Sequence, residues 1–187
     1  FLAFLDGDDV WSKDKLSTQV IFMLKNKYPI SHTEYAFINA EGKLLPRGHL
    51  KVDREVDLKK LMKTTQLGLS TVMVDRRQIG KTVPFPEKRT LSEDTAAWMS
   101  LMRRGFTSYG IPRVMMLYRV RSSQLSGNKA RMAFNMLNNY LREKSIPLHK
   151  RFYYWSCYAV NGFAKRLRKS GGIPAEILQN FDQRYNR

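Results

Sequence analysis

The sequence contains little of what a disulfide framework, a histidine metal centre or a membrane span would need. Cys157 is the only cysteine among 187 residues, which excludes an internal disulfide and a zinc site built from cysteines. The three histidines, at positions 32, 49 and 149, are scattered without ligand spacing. No apolar run is long enough to span a bilayer, and we expect no signal peptide. These features predict a protein of the reducing cytoplasm.

Acidic residues are also few beside the basic ones. The chain has 33 lysines and arginines against 16 aspartates and glutamates, a formal net charge of +17. Such a surface attracts nucleic acid, anionic lipid or phosphate-bearing small molecules. It can also be a solvated surface with no specific partner, so charge alone leaves the function open.

The first five residues, Phe-Leu-Ala-Phe-Leu, form an apolar run typical of a central parallel strand covered on both faces. A natural protein seldom opens in the middle of a strand. We therefore expect this chain to be a fragment whose upstream part is missing.

The apolar periodicity predicts an α/β domain followed by helices. A helix should follow Trp11 and run to about Lys27, with its apolar stripe on Leu16, Val20 and Leu24. The other predicted elements are strands at 32–39, 43–45, 69–74 and 113–120, and helices at 56–63, from Ser92 to Gly105, at 129–143 and at 148–169. The fold class is a mixed sheet flanked by helices, with residues 1–127 as the α/β part and 128–187 as a helical, basic and aromatic extension.

Three carboxylates, Asp6, Asp8 and Asp9, directly follow the first strand. Crowded carboxylates repel each other unless a cation lies among them, and their hard oxygens suit Mg²⁺ or Mn²⁺. In open α/β sheets, ligands bind at the carboxyl ends of strands. An aspartate-rich turn that caps the next helix explains the same residues, so both interpretations stay open.

Glu93 and Asp94 lie in the first turn of the helix that begins after Ser92. Acidic residues there are favoured by the helix dipole, which is a sufficient structural explanation. The alternative is that one of them is a general base, because a helix N-terminus in a cleft fixes a carboxylate near an acceptor hydroxyl.

Two basic segments near the end of the chain could contact anions. Arg119 and Arg121 precede a serine-containing loop that could hold phosphate, or that could simply be polar. Residues 150–169 mix aromatic with basic side chains. Such a helix can lie on an anionic membrane surface, or pack its aromatic residues on the domain as core.

Four segments, taken in order, resemble family 2 glycosyltransferases. Residues 4–11, Phe-Leu-Asp-Gly-Asp-Asp-Val-Trp, with Lys15, Leu16 and Gln19, are similar to the pattern F-L-D-x-D-D-x-W followed by K-L and Q. Residues 70–74, followed by Arg76 or Arg77, resemble the central strand of that family. Glu93 and Asp94, with Trp98 and Gly105, resemble the E-D motif, and residues 118–121 resemble its Y-R-x-H stretch.

The resemblance implies an incomplete GT-A fold and inverting transfer of a sugar from a nucleotide diphosphate donor, expected to be UDP-linked, to a hydroxyl acceptor. Asp6 and Asp8 would bind Mn²⁺ or Mg²⁺, with Asp9 close by on the donor side. Asp94 would be the general base and Glu93 its neighbour. Ser70, Thr71, Trp98, Arg119 and Arg121 would contact substrate. The acceptor would be a cell-envelope glycan or lipid-linked sugar, made at the cytoplasmic side of the membrane by a peripheral enzyme.

Two departures from the family pattern carry expectations of their own. Arg121 stands where the family often has histidine, and arginine is a poor metal ligand. The strands that bind the donor base and ribose in the family lie upstream of the aspartate motif, so we expect this chain alone to be inactive.

Three other classes of protein share some of these features. A nucleic-acid-binding module would explain the charge, but the chain has no zinc-finger, RNP-like or helix-turn-helix pattern, so no nucleic acid partner is expected. A phosphoryl-transfer enzyme would suit the aspartates, but a glycine-rich phosphate loop is missing. A non-catalytic scaffold of the same fold stays open.

Overall fold

The computed structural model describes residues 1–64, 66–80, 82–86, 92–121, 129–167 and 179–181. Its helices are α1 (Lys15–Asn26), α2 (Leu58–Thr64), α3 (Arg76–Ile79), α4 (Glu93–Arg103), α5 (Lys129–Arg142) and α6 (Leu148–Leu167). Its strands are β1 (Leu2–Ala3), β2 (Val10–Trp11), β3 (Ile30–Ile38), β4 (Leu44–Leu50), β5 (Glu55–Val56), β6 (Met73–Val74) and β7 (Ser108–Arg119). A short 3-10 helix covers Leu69–Thr71.

The strands form one mixed sheet built around the parallel pair β3 and β7. The order along the sheet is β1-β6-β3-β7-β2, with β4 also paired to β3 and β5 to β7. Every pair other than β3–β7 is antiparallel. The predicted fold class, an incomplete GT-A-type α/β domain with helices flanking a mixed sheet, is confirmed by this arrangement.

The β3–β4 hairpin confirms that the chain turns between the predicted strands at 32–39 and 43–45. Gly42 has a φ of 87°, which favours glycine, and its N–H donates to the carbonyl of Asn39. The side chain of Asn39 accepts from the N–H of Lys43 at 2.8 Å. The returning strand is longer than predicted, since it continues to Leu50.

Buried side chains form two hydrophobic clusters. The larger lies among the helices and contains Trp98, Leu101, Leu61, Val74 and Tyr140, among others. The smaller contains Ala36, Ile38, Val114, Leu117 and Phe181. Because Phe181 is 1% exposed, the described segment 179–181 packs against the sheet.

Helices α5 and α6 join the larger cluster. The hydroxyl of Tyr140 donates to the carbonyl of Met62 at 2.5 Å, and the amide of Asn161 donates to the carbonyl of Lys63 at 2.9 Å. The predicted boundary after residue 127, between the α/β part and the helical extension, stays a prediction. Within the described ranges, no helix combines the length and apolarity that crossing a bilayer requires.

The first strand differs from the sequence prediction. β1 is only two residues long, pairs antiparallel with β6 and lies at one end of the strand order. Its side chains are half-buried, and Leu5 is 49% exposed. The apolar run therefore does not form a central parallel strand, because its described partner is a single antiparallel neighbour.

Two further expectations were wrong in part. Leu69–Thr71 is a 3-10 turn, and only Met73–Val74 of the predicted strand pairs in the sheet. In α1 the buried face carries Lys15, Gln19 and Met23, whereas Leu16 and Leu24 are about half exposed. Polar side chains replace apolar ones on that face because they make hydrogen bonds in the protein interior, which are described with the candidate site.

Helix α4 begins directly after Ser92, as predicted. Ser92 has a φ of 69°, and its hydroxyl makes no capping bond. Gly105, with a φ of 93°, ends the helix as predicted. Residues 82–86 form no helix or strand. The serine-containing loop after Arg121 lies outside the described residues.

Replacing Gly110 by alanine should destabilise the fold. An added Cβ would lie 2.3 Å from the carbonyl oxygen of Asp53 and 3.1 Å from Nε2 of His32. Backbone must move to admit it, so we expect a loss of about 1–3 kcal/mol in the free energy of unfolding, measured in urea. The control is Gly162→Ala, where nothing lies within 4 Å. That helical position should gain up to about 1 kcal/mol, and equal losses in both variants would contradict the packing argument.

Candidate active site

The acidic loop that follows β1 is tied to the chain by Ser70. The N–H of Asp9 donates to the carbonyl of Asp6 at 3.1 Å and closes a turn. The hydroxyl of Ser70 accepts from the N–H of Asp6 at 3.0 Å and donates to Oδ2 of Asp9 at 2.6 Å. Oδ1 of Asp9 accepts from the N–H of Arg119 at 3.1 Å. Both oxygens of Asp9 are thus engaged within the protein, and its side chain holds the loop in place.

The environment of Asp9 raises its pKa to about 6. Burial is the main cause, and the nearby charges of Asp6 and Asp8 add to it. The hydrogen bonds from Ser70 and from the backbone of Arg119 oppose the shift.

Asp6 and Asp8 are placed differently from Asp9. Their carboxylates accept no hydrogen bond from other described residues, although Nε of Arg121 lies 4.0 Å from Oδ2 of Asp8. Desolvation, followed by the charges of Asp8 and Glu93, raises the pKa of Asp6. Two neighbouring carboxylates that repel each other are the kind of group that a cation stabilises.

The second acidic motif lies close to the first. Asp94, in the first turn of α4, accepts a hydrogen bond from the N–H of Thr95 at 2.7 Å. Desolvation raises the pKa of Asp94 to about 6, and the charges of Asp6 and Glu93 contribute. The fold therefore brings Asp6, Glu93 and Asp94 within electrostatic reach, although they are far apart in sequence.

The site has the donor atoms that a hard divalent cation takes, but not a complete shell. No group of three histidine, cysteine or acidic side chains converges on a metal position within the described part of the chain. Mg²⁺ and Mn²⁺ are commonly held by one or two carboxylates, with phosphate and water supplying the other oxygens. Asp6 and Asp8 fit such an ion, and both stay predicted ligands.

Arg119 has a structural task in this site. Its Nε donates to the carbonyl of Asp8 at 2.8 Å, and Nη1 donates to the carbonyls of Asn39 and Ala40 at 3.2 and 2.9 Å. The guanidinium thus joins the acidic loop to the β3–β4 turn. From the sequence we expected Arg119 to contact substrate, and no sequence pattern indicated these hydrogen bonds to backbone carbonyls. A substrate role for Arg119 or Arg121 stays a prediction.

The structure places three other predicted substrate contacts in supporting positions. Trp98 is 1% exposed, and its ring centre lies 5.8 Å from that of Phe4 in the larger hydrophobic cluster. The hydroxyl of Ser70 is hydrogen-bonded to the acidic loop. The hydroxyl of Thr71 donates to the carbonyl of Gly68 at 2.7 Å, inside the 3-10 turn. Their predicted roles as acceptor contacts stay untested.

Two tyrosines lie near the carboxylates, and neither was predicted to do so from the sequence. Burial raises the pKa of Tyr35 on β3, and the charges of Tyr118, Asp9 and Asp94 add to the shift. Burial and the charge of Asp94 raise the pKa of Tyr158 on α6. Both hydroxyls therefore keep their protons at neutral pH. A period of two along β3 could have indicated Tyr35, but no sequence signal placed α6 beside Asp94.

A buried lysine lies beneath the Ser70–Thr71 turn. Lys15 is 0% exposed, its Nζ donates to Oε1 of Gln19 at 2.5 Å and it lies 4.2 Å from the ring centre of Trp11. Gln19 donates in turn to the hydroxyl of Ser31 at 3.0 Å and to the carbonyl of Thr71 at 3.1 Å. Desolvation lowers the pKa of Lys15 to about 7. These two polar residues of α1 support the turn that holds the acidic loop.

Trp11 completes this support, since its indole N–H donates to the carbonyl of Ser70 at 2.7 Å. The residues that resemble the family pattern after the aspartates, Trp11, Lys15 and Gln19, therefore all act on the Ser70–Thr71 turn. The spacing of four between Lys15 and Gln19 places these two residues on one face of α1, whereas Trp11 lies on β2.

The raised pKa of Asp9 makes a pH-dependent contribution to stability. Its folded pKa of about 6 exceeds the ordinary value of 3.8, so the folded state holds the proton more tightly. Stability from this group is present below about pH 4 and is lost as the pH rises through 6. His32, whose pKa burial lowers to about 4, has the opposite effect.

We therefore expect the stability of Asp9→Asn relative to the wild type to rise by up to about 3 kcal/mol between about pH 4 and pH 7. Urea unfolding at several pH values measures this difference, in which the contribution of His32 cancels. A difference that is independent of pH would contradict the raised pKa of Asp9.

Comparison with known proteins identifies relatives over most of the chain. No protein-family model matches it. A Bacillus subtilis protein, provisionally named as the teichuronic acid biosynthesis glycosyltransferase TuaG, is 34% identical over 167 residues, which are 89% of this chain and 65% of that protein. Two Escherichia coli proteins are named UDP-Glc:alpha-D-GlcNAc-diphosphoundecaprenol beta-1,3-glucosyltransferases. WfaP is 30% identical over 88% of this chain and 63% of its own length, and WfgD is 29% identical over the same shares.

The chain thus spans slightly less than two thirds of the length of these relatives. Over most of its length the chain is homologous to bacterial proteins named as glycosyltransferases.

Proposed function

We propose that the protein transfers a sugar from a UDP-linked donor to a hydroxyl of a cell-envelope glycan or lipid-linked acceptor. The observation that carries this proposal is that Asp6 lies within electrostatic reach of both Asp8 and Asp94, in a chain whose relatives are named as glycosyltransferases. Two of these relatives are named for a UDP-linked donor and a diphosphoundecaprenol acceptor.

Asp94 has the properties that a general base needs. A carboxylate with a pKa of about 6 is mostly ionised at neutral pH, yet is more basic than an ordinary aspartate. Its hydrogen bond from Thr95 fixes the side chain at the start of α4. As the acceptor oxygen bonds to the anomeric carbon, Asp94 takes its proton, and the bond to the diphosphate breaks with inversion.

Asp6 and Asp8 face the leaving diphosphate in this proposal. A bound Mn²⁺ or Mg²⁺ would offset the charge that grows on the leaving group. Asp9, Ser70 and Arg119 keep the loop in place while this happens, since all three bond within the loop or to it. Glu93 adds negative charge beside Asp6 and so favours a cation there.

The test uses the complete gene product, meaning this chain with any sequence encoded on either side. It is incubated with a panel of nucleotide sugars, Mn²⁺ and a lipid diphosphate acceptor carrying N-acetylglucosamine, and products are detected by mass spectrometry. We expect one donor to add a single sugar with inverted configuration. Absence of transfer from every donor, with intact folding, would favour a non-catalytic scaffold.

We further propose that the enzyme works as a peripheral protein at the cytoplasmic face of the membrane. A lipid-linked acceptor requires this location, and the charge of +17 suits an anionic surface.

A further inference from the structure

Helix α6 has an inner face in the core and an outer face that stays exposed. On the inner face, Tyr154 is 7% exposed, and Trp155 and Tyr158 pack on the larger hydrophobic cluster. On the outer face, Phe152 and Tyr153 are 46% and 56% exposed. The sequence left packing and membrane contact as alternatives for this helix, and its two faces allow both.

Lysines from a second helix lie beside these exposed aromatic rings. Nζ of Lys63, on α2, lies 5.8 Å from the ring centres of both Tyr153 and Tyr154. Lys59 of α2 and Lys150 of α6 line a cavity of about 260 Å³ together with Tyr153. No pattern in the sequence predicts that α2 packs beside α6 at this surface.

The charge of this surface has one sign. Helices α2 and α6 contain no aspartate or glutamate along their whole lengths. Of the α2 lysines, Lys60 pairs with Asp53 at 3.3 Å, whereas Lys59 and Lys63 face α6. Helices that bind at a membrane interface typically combine lysines with exposed aromatic and aliphatic side chains. The ammonium groups contact lipid phosphates, and the aromatic rings enter the headgroup layer.

We propose that this α2–α6 surface, formed by Lys59, Lys63, Lys150, Phe152 and Tyr153, docks the protein on an anionic bilayer. The proposal rests on the proposed function in one respect only, namely that a lipid-linked acceptor lies in the same bilayer. Charge complementarity selects the membrane as occupant, because each lysine near an anionic surface contributes favourable binding energy.

The same helix connects the docking surface with the carboxylates. Tyr153 is on the outer face of α6, and Tyr158, five residues later, lies close enough to Asp94 for that charge to raise its pKa. A helix is about 10–12 Å in diameter with its side chains. Docking through the outer face would therefore leave about one helix diameter between the bilayer surface and the side of α6 that faces Asp94.

The test is sedimentation of the complete gene product with vesicles of phosphatidylglycerol and phosphatidylcholine, compared with vesicles of phosphatidylcholine alone. We expect binding to the anionic vesicles only. The double variant Lys59→Glu/Lys150→Glu should bind at least about tenfold more weakly. The matched control, Lys25→Glu/Lys43→Glu, makes the same change in net charge at exposed lysines of α1 and of the β3–β4 turn and should keep most of the binding.

A third variant, Phe152→Ser, separates the apolar contribution from the charges. It should weaken vesicle binding even at high salt, where lysine contributions are screened. Equal losses in the two lysine variants would overturn the proposal, since binding would then follow net charge alone. A concentration-dependent dimer abolished by Phe152→Ser would overturn it in favour of a second copy of the chain. Nucleotide binding should be unchanged in all three variants, so failure here is distinguishable from failure of the proposed function.

Discussion

Replacing Asp94 by asparagine is expected to reduce the rate of sugar transfer by about 10²–10⁴-fold. Asparagine keeps the oxygen that accepts from the N–H of Thr95, so the side chain should keep its place at the start of α4. It cannot take a proton from the acceptor. Affinity for the donor should change little, because Asp6 and Asp8, rather than Asp94, are the proposed metal ligands. Steady-state kinetics with varied donor and acceptor measure both quantities.

The pH profile gives an independent reading of the same residue. In the wild type, kcat/KM should rise with pH through the region in which Asp94 ionises, and a pKa of about 6 places that region below neutrality. Asp94→Asn should lose this dependence along with the activity. The matched control is Asp57→Asn, which replaces an exposed carboxylate bonded to the N–H of Lys60 at the start of α2. Equal rates in both variants would exclude Asp94 as the base.

Replacing Gln19 by leucine should be the most destabilising of the polar changes near the site. The substitution removes the hydrogen-bond partner of Lys15 and leaves its ammonium fully buried. It also leaves the hydroxyl of Ser31 and the carbonyl of Thr71 without this donor. Leaving a buried polar group without its hydrogen-bond partner costs about 1–3 kcal/mol, and more for a charged group. Urea unfolding at neutral pH measures the loss.

The second variant of this pair is Lys15→Met, alone and together with Gln19→Leu. Methionine fills a similar volume without a charge, so the double variant should regain part of the stability that Gln19→Leu loses. Additive losses would show that Lys15 and Gln19 act independently. Since these residues support the Ser70–Thr71 turn, we also expect weaker metal-dependent nucleotide binding in Gln19→Leu.

Local patterns were sufficient to predict the elements that carry the acidic groups. The aspartates were predicted directly after the first strand, and they follow the short strand β1 in the structure. The acidic pair after Ser92 was predicted in the first turn of a helix, and it lies in the first turn of α4. Helix periodicity also located α5 and α6 to within a few residues. These features depend on neighbours along the chain, which a sequence displays directly.

Contacts between distant residues were beyond such patterns. Arg119 carries a charge that suits phosphate, but its guanidinium is used on the carbonyls of Asp8, Asn39 and Ala40. Trp98 matches the family pattern and is buried in the core. In both cases a residue type has several possible uses, and only the packing of separate elements selects one.

The buried face of α1 shows a second limit. Hydrophobicity assigned that face to Leu16 and Leu24, yet Lys15 and Gln19 are the residues at 0% exposure. A periodicity argument cannot identify a buried lysine, because its burial depends on the partner that Gln19 supplies and on the ring of Trp11. The family resemblance marked these residues, but not the turn that they support.

The most direct test of this account is calorimetric titration of UDP into the complete gene product, with and without Mn²⁺. Wild type and Asp8→Asn are compared, and Asp14→Asn serves as a control carboxylate that pairs with Arg113 at 2.7 Å. We predict that UDP binds the wild type and Asp14→Asn only when Mn²⁺ is present, and that Asp8→Asn abolishes this binding. UDP binding that is indifferent to Mn²⁺ and to Asp8→Asn would contradict the assignment of the acidic loop as a metal-dependent donor site.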